Sequence, residues 1–355
     1  MEQLIPKRIC SGYLQEGHVQ GIAIDIANGH VYFSFTTLLL KTDLLGRPLG
    51  SVKNFIGHLG CITMDAKRGR VYGSLELKHD AIGVGITQRT GKTLGCEDAF
   101  YLVSFDCARI DRMEMDAETD GVMQAVYLQD VATDYLQTDE ISGHPHRYGC
   151  SGIDGIALGP CFGGGEEKIM VAYGIYRDVE RQDNDHQVIL QLDPSAVEQY
   201  GHPLSQIAPH HSGPTCAEER YFFRTGNTTY GIQNLEYDPH TKLWLLAVYP
   251  GKKNAYSNFP MYAIDGAIAP VLAPLAGRDG QRGLLLTSAR LGEPDTSIPH
   301  LFGCRFPYGQ TGMASLGNGM FCFSVPSSIP EEGRFASTLV IYRFTPNEPQ
   351  LFTEA

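Results

Sequence analysis

The 355-residue sequence predicts an all-β fold built from a repeated unit. Gly17-His18-Val19-Gln20-Gly21-Ile22-Ala23-Ile24-Asp25 and Gly57-His58-Leu59-Gly60-Cys61-Ile62-Thr63-Met64-Asp65 share Gly-His at the front, Ile at the sixth place and Asp at the ninth, 40 residues apart. Self-similarity at such a period marks a repeat architecture. Each segment is followed by a glycine turn and a Val-Tyr pair, Asn28-Gly29-His30-Val31-Tyr32 in one and Arg68-Gly69-Arg70-Val71-Tyr72 in the other. No stretch sustains a helical period, which argues against folds that alternate strands with long helices.

The same register returns three times in altered form, at Tyr148-Gly149-Cys150-Ser151-Gly152-Ile153, Tyr230-Gly231-Ile232-Gln233-Asn234-Leu235 and Tyr308-Gly309-Gln310-Thr311-Gly312-Met313. An aromatic-Gly pair replaces Gly-His in each. Behind every opening come a short apolar run, a turn and a second apolar run, such as Leu235-Glu236-Tyr237-Asp238 followed by Leu243-Trp244-Leu245-Leu246-Ala247-Val248. The turns hold Asn28-Gly29, Asp238-Pro239 and Gly317-Asn318-Gly319, the residue types that tight turns require. A third run follows, for example Phe100-Tyr101-Leu102-Val103-Ser104-Phe105-Asp106 and Val188-Ile189-Leu190-Gln191-Leu192-Asp193, and a weaker fourth run follows in most units.

Five units of four antiparallel strands, each burying its faces against two neighbours, are the signature of a five-bladed β-propeller around a central funnel. The expected blades lie near residues 17–56, 57–147, 148–229, 230–307 and 308–355, with residues 1–16 returning to complete the last, all within one domain. The Gly-Ile-x-x-Asp opening followed by Gly-x-Val-Tyr resembles the repeat of NHL-type and related propellers, over some twenty residues per unit and most sharply in the first two. Those families include hydrolases, lyases, lactonases and docking modules, so the resemblance implies architecture and not activity. The long insertions here depart from that repeat.

Acidic residues outnumber basic ones 40 to 28, for a net charge of −12, and no basic run offsets this. Nucleic acid and anionic membrane are therefore disfavoured as partners. No segment approaches membrane-spanning length, and Met1-Glu2-Gln3-Leu4-Ile5-Pro6-Lys7 lacks the apolar core of a signal peptide. Nine cysteines without a C-x-x-C pair support neither a zinc ribbon nor a redox pair, and the expected compartment is the cytoplasm.

In a propeller the starts of the inner strands and the connections from second to third strand open on one face. The inner-strand starts supply His18, Gln20, His58, Tyr148, Tyr230, Gln233, Tyr308 and Gln310. The connections supply Glu76, His79, Asp80, Glu97 and Asp98 in unit two, Tyr176 and Arg177 in unit three, Tyr249 to Tyr256 in unit four and Pro326 to Arg334 in unit five. Loops of that length usually bind something or are disordered. His18, His58 and Asp154 are the candidate catalytic residues, the imidazoles because their ordinary pKa lies near working pH. Each has a structural alternative, as a group holding the loop before an inner strand or a neighbouring backbone. Tyr148, Tyr230 and Tyr308, with Gln233, Gln310, Arg147, Tyr176, Arg177, Glu76 and His79, are candidates for substrate binding. His18, His58 and His146 could hold a divalent metal ion.

The expected function is that of a carbohydrate-active enzyme, a glycoside hydrolase or a polysaccharide or oligosaccharide lyase, acting on a small-molecule or oligosaccharide ligand in the funnel. A non-catalytic propeller that binds a sugar or a protein is the alternative class, and a metal-dependent, lactonase-like hydrolase is a third.

Overall fold

The computed structural model describes residues 5–95 and 97–355; residues 1–4 of the closing segment and Cys96 of the second insertion lie outside the described residues. The apolar runs pair through tight turns into antiparallel hairpins, and the hairpins extend into five sheets. The first blade contains Val19–Asp25, His30–Phe35, Leu38–Asp43 and Pro48–Lys53; the second contains His58–Asp65, Arg70–Leu77, Ala99–Asp106 and Met123–Tyr127. The third contains Cys150–Pro160, Glu167–Ile175, His186–Leu192 and Glu219–Arg224, and the fourth is centred on Thr229–Asp238, Leu243–Tyr249, Met261–Asp265 and Phe302–Cys304. In the fifth, Met313–Gly317, Met320–Ile329 and Arg334–Phe344 are joined by Arg8–Cys10, with Ile9 opposite Leu339. Each inner strand packs on the next, and Met313–Gly317 packs back on Val19–Asp25, which closes the ring. The molecule is a five-bladed β-propeller.

The apolar core is divided among the gaps between blades, as expected when every sheet has two buried faces. Trp244, Leu246 and Ile232 of blade four meet Met170, Ile189 and Phe223 of blade three. Ile22, Val31 and Phe33 of blade one meet Cys322 and Leu339 of blade five.

The long connections are more ordered than the sequence indicates. Two of them lap back onto the preceding blade and add strands beyond the expected four. Met115–Asp116 pairs in parallel with Pro48–Lys53, and the hairpin of Val271–Pro274 and Arg282–Leu285 extends blade three. The insertion of blade two folds as helix α1, Ala81–Thr90, whose N-cap Asp80 accepts hydrogen bonds from the Ile82 and Gly83 N–H groups at 3.0 Å. Two further short helices, α2 (Gln129–Leu136) and α3 (Ala196–Tyr200), lie in other connections. The insertion of blade five is a continuation of its hairpin, with Pro330–Glu332 at the tip. The connections of blades three and four are tied down by buried ion pairs, Arg181–Asp183 at 2.8 Å, Arg278–Asp139 at 2.5 Å and Lys253–Asp185 at 2.5 Å.

The axis is plugged by one side chain that reaches several blades. Asn234 Nδ2 donates to the carbonyls of Gln20 (2.8 Å) and Gln310 (3.0 Å), while its Oδ1 accepts from Cys61 Sγ at 3.1 Å. Cys61 Sγ also lies 3.4 Å from the Ile156 carbonyl, so the junction joins inner strands of all five blades. Replacing Asn234 by Leu leaves two buried carbonyls without donors and is expected to cost about 2–4 kcal/mol in urea denaturation. A loss under about 0.5 kcal/mol, the scale of an ordinary surface substitution, would show that the plug is not part of what holds the ring.

Among the described residues no helix is long and apolar enough to cross a membrane, and no disulfide joins the eight described cysteines.

Candidate active site

Above the plug the funnel opens into a blind cavity of about 590 Å³. The inner-strand starts supply His18, Gln20, His58, Ser151, Asp154, Tyr230 and Gln233 to its wall. The neighbouring ends of the second strands supply Thr36, Glu76, Lys78 and Tyr249, and helix α1 covers one side with Ile82, Ile86 and Arg89. Larger grooves of about 710 and 790 Å³ run along the outer strands, and the first is lined by Asp265 and His300 among others, but the cluster of His58, Glu76 and Asp154 lies in the funnel.

The cavity floor is a buried cluster of charges. His58 stands opposite Glu76 in the first hairpin of blade two. Glu76 is fully engaged: Oε1 accepts from the Ile153 N–H at 2.5 Å and Oε2 lies 2.8 Å from Lys78 Nζ. This reach between blades depends on Gly152, because a Cβ there would lie 1.8 Å from Glu76 Oε1. The Lys78 ammonium also donates to the Ser151 carbonyl at 2.7 Å and lies 3.3 Å from Asp80 Oδ2. Asp154 Oδ2 accepts from Gln233 Nε2 at 3.0 Å. His58 Nδ1 is buried, 3.8 Å from Glu76 Oε2 and without a hydrogen-bond partner, so the edge of the ring toward the cavity carries Nε2.

Burial and charge set the protonation of this floor. Burial, helped by the Lys78 charge, depresses His58 to about 3, so the imidazole is neutral at working pH. Burial and the neighbouring Glu76 carboxylate push Asp154 well above the ordinary carboxylate range. Burial also raises Glu76, against the pull of Lys78. For Lys78 burial works against the charge, but Glu76 and Asp80 more than offset it and hold the ammonium protonated. His18 is lowered by burial and by Arg89, and its Nε2 sits 3.0 Å from the Gln20 side-chain amide.

The structure brings together His18, His58, Asp154, Tyr230, Gln233 and Glu76 from the sequence-derived candidates. Glu76 belongs to the second strand and not to the insertion after it. The remaining candidates need their placement corrected, because none of them lines the cavity. Tyr148 is buried with the guanidinium groups of Arg147 and Arg278 over its ring and its hydroxyl bonded by Gln281 at 2.6 Å. Arg147 pairs with Asp134 at 3.5 Å. Tyr308 stacks in a cluster with Phe306 and Tyr342. Gln310 donates to the Val248 carbonyl at 3.2 Å, between blades. His79 anchors the insertion through Asp98 and the Gly95 carbonyl, at 3.0 and 2.9 Å. Tyr176 stands behind the floor, its hydroxyl 3.5 Å from Asp80 Oδ2, and Arg177 is exposed. His146 bonds the Tyr135 carbonyl through Nδ1 at 2.6 Å, so the three-histidine metal arrangement does not form.

Among the described residues, one trio of metal-type ligands converges, His58, Glu76 and Asp154, with one ligand atom of each within 4.8 Å of the others. The chemistry of the donor set does not favour a metal there. Both Glu76 oxygens are occupied, and the Lys78 ammonium already supplies the positive charge at 2.8 Å. Lys78, Arg89, Thr36 and Ser151 are site residues that sequence reasoning missed, whereas Tyr249 was expected on this face as the start of the unit-four connection. The signal for Lys78 was the alternation Glu76-Leu77-Lys78, two charges on one face at the end of an apolar strand.

No family model matches the chain, and no curated protein matches it. Among solved structures it is similar to the β-propeller domain of Cps50 (Swd1) from Myceliophteria thermophila, at 10% identity and a TM-score of 0.33, over 92% of this chain and 84% of that one. It is also similar to the holo form of the pyranose dehydrogenase PQQ domain from Coprinopsis cinerea, at 11% identity and a TM-score of 0.40, over 90% of this chain and 81% of that one.

Proposed function

We propose that the chain is a carbohydrate-active enzyme that cleaves a glycosidic bond by proton transfer in the funnel, as a lyase rather than a hydrolase. One arrangement carries this reading: Asp154, a carboxyl group that burial and Glu76 push well above the ordinary carboxylate range, faces the same cavity as His58, an imidazole that burial depresses to about 3. Environments that push two titratable groups apart in this way assign an acid and a base. Asp154 is the proton donor to the leaving oxygen, and His58 Nε2 is the acceptor. Glu76 lies beside His58 Nδ1, where it favours the imidazolium once that forms. Gln20, Gln233 and Thr36 offer hydrogen bonds to hydroxyl groups, and Tyr230 and Tyr249 offer ring faces, which suits a sugar.

Hydrolysis by two carboxylates fits less well. It requires a pair that flanks the scissile bond, about 5–5.5 Å apart for retention and about 6.5–9.5 Å for inversion. Glu76 is 3% exposed, with both oxygens engaged inside the protein, so it cannot stand across the bond from Asp154.

The test is a panel of oligosaccharides assayed both for new reducing ends and for the ultraviolet absorbance of an unsaturated product. The reading expects both signals together, and His58→Gln is expected to lower kcat by about 100-fold or more with bound-sugar affinity retained. Reducing ends without unsaturation would place the chain among the hydrolases. Binding without turnover across the panel would make it a sugar-binding propeller.

A further inference from the structure

We propose that the funnel is built for an acidic sugar, with the sugar's carboxylate held by Arg89 at the cavity mouth. This rests on the reading above that the cavity takes a sugar, and it adds the substrate class and the residue that selects it.

Arg89 sits in the last turn of α1, where a basic side chain complements the helix dipole and needs no other role. Its position says more than that. The guanidinium reaches across the mouth to blade one, so close to Gly17 that a Cβ there would lie 2.6 Å from Nη1 and 2.4 Å from Thr36 Oγ1. Gly17 has a φ of +88° that itself favours glycine, and the missing Cβ also leaves room for the guanidinium. The acidic groups of the cavity wall are committed elsewhere. Glu76 is held by Lys78 and the Ile153 N–H, Asp80 by Lys78 and the start of α1, and Asp154 by Gln233. None of the ion pairs among the described residues involves Arg89, in a chain where acidic residues outnumber basic ones 40 to 28. A guanidinium at the rim of this cavity, in no ion pair among the described residues, matches a planar, bidentate carboxylate from the ligand.

The chemistry of elimination asks for the same group. A proton on the carbon next to a carboxyl group is acidified when the carboxylate's charge is neutralised. His58 Nε2 takes that proton and the C–H electron pair becomes the new C=C bond. The C–O bond to the leaving sugar breaks, its electron pair departs with the oxygen, and Asp154 protonates that oxygen. The step consumes no water, oxidant or reductant. Arg89 is also one of the charges that depress His18 and His58, so a carboxylate seated on it relieves part of that depression. A bound acidic ligand thus makes the imidazole a better base.

The experiment is isothermal titration at low salt with three probes: trigalacturonate, galactotriose and galactose 6-sulfate. Wild type is expected to bind trigalacturonate at least about tenfold more tightly than galactotriose, a ratio that Arg89→Gln abolishes and Arg89→Lys retains in part. Galactotriose affinity should be unchanged in both variants. Equal binding of the acid and neutral trisaccharides, a ratio unaffected by Arg89→Gln, or no binding of trigalacturonate overturns the proposal. Tighter binding of the sulfated sugar overturns its commitment to a carboxylate. Because the readout is binding, the two readings fail separately. Arg89-dependent binding of trigalacturonate without turnover would end the enzyme reading alone. Unsaturated product formed from trigalacturonate, with rate and affinity that Arg89→Gln leaves intact, would end this one alone.

Discussion

Asp154→Asn is expected to lower turnover by about 100- to 10,000-fold while leaving the fold and ligand affinity intact, because Asn has no proton to give. The substitution is conservative in its contacts: the new side-chain oxygen still accepts from Gln233 Nε2, which now lies 3.0 Å from Asp154 Oδ2. The pH behaviour gives an independent check. Asp154 acts in its protonated form, so wild-type activity should fall on the alkaline side as that proton is lost. The limb reports the coupled Asp154–Glu76 pair and not one residue. Stability moves in the opposite sense. The folded-state value of Asp154 is raised above its ordinary 3.8, so its contribution is fully present below 3.8 and is lost as pH rises through the folded value. Asn carries no such loss. The melting temperature of the variant should therefore gain on wild type as pH rises from 4 toward 8. Retained turnover in a correctly folded Asp154→Asn protein would remove Asp154 from the chemistry.

The difference between what was and was not legible in the sequence has a physical source. The repeat was legible because every blade needs the same turn glycines and the same alternation of buried residues, and those needs are local. His18, His58, Asp154 and Gln233 were legible for the same reason, as polar residues at or near inner-strand starts. The ends of the second strands were as informative but were read only in part, at Glu76 and Tyr249. Thr36, Glu76, Lys78 and Tyr249 meet the inner-strand starts across each first hairpin, as His58 and Glu76 do. Counting back from the Asp65-to-Arg70 turn sets Glu76 against Leu59, and only the bulge between Leu59 and Ile62 shifts the register by one residue and brings it opposite His58. Helix α1 was hidden by its composition. Gly83 weakens its helical pattern, yet a Cβ there would lie 1.6 Å from the Lys78 carbonyl, so packing demands what propensity disfavours. Tyr148 and Tyr308 misled because an aromatic-Gly pair marks the blade register and not a direction. Tyr148 adopts a positive φ of 58° and turns into its own arginine cage, whereas Tyr230, at 63°, turns into the funnel. That choice is made by the partners around each ring, which lie far away in sequence.

Lys78→Met is expected to destabilise the protein by about 3–5 kcal/mol, the cost of leaving a buried carboxylate without its cation. The Lys78 side chain is 4% exposed and that of Glu76 is 3% exposed, so solvent cannot take over the pairing. The loss should depend on pH with a definite sign. Glu76 is already raised above its ordinary 4.5, and without Lys78 it rises further. The stability tied to its proton is present below 4.5 and is lost as pH rises through the folded value, so the gap between variant and wild type should widen from pH 4 to pH 8 in urea denaturation. The double variant Lys78→Met/Glu76→Gln removes both charges together and should recover much of the loss, since a buried pair replaced by neutral groups often costs little. His58 supplies a reading that global stability does not. Lys78 is, after burial, the main cause that holds His58 near 3, so its imidazole resonances should titrate at higher pH in Lys78→Met than in wild type. A single variant as stable as wild type, with His58 titrating where it did before, would mean that Lys78 is not the resident cation of this floor. The trio of His58, Glu76 and Asp154 would then have to be considered again as a metal centre.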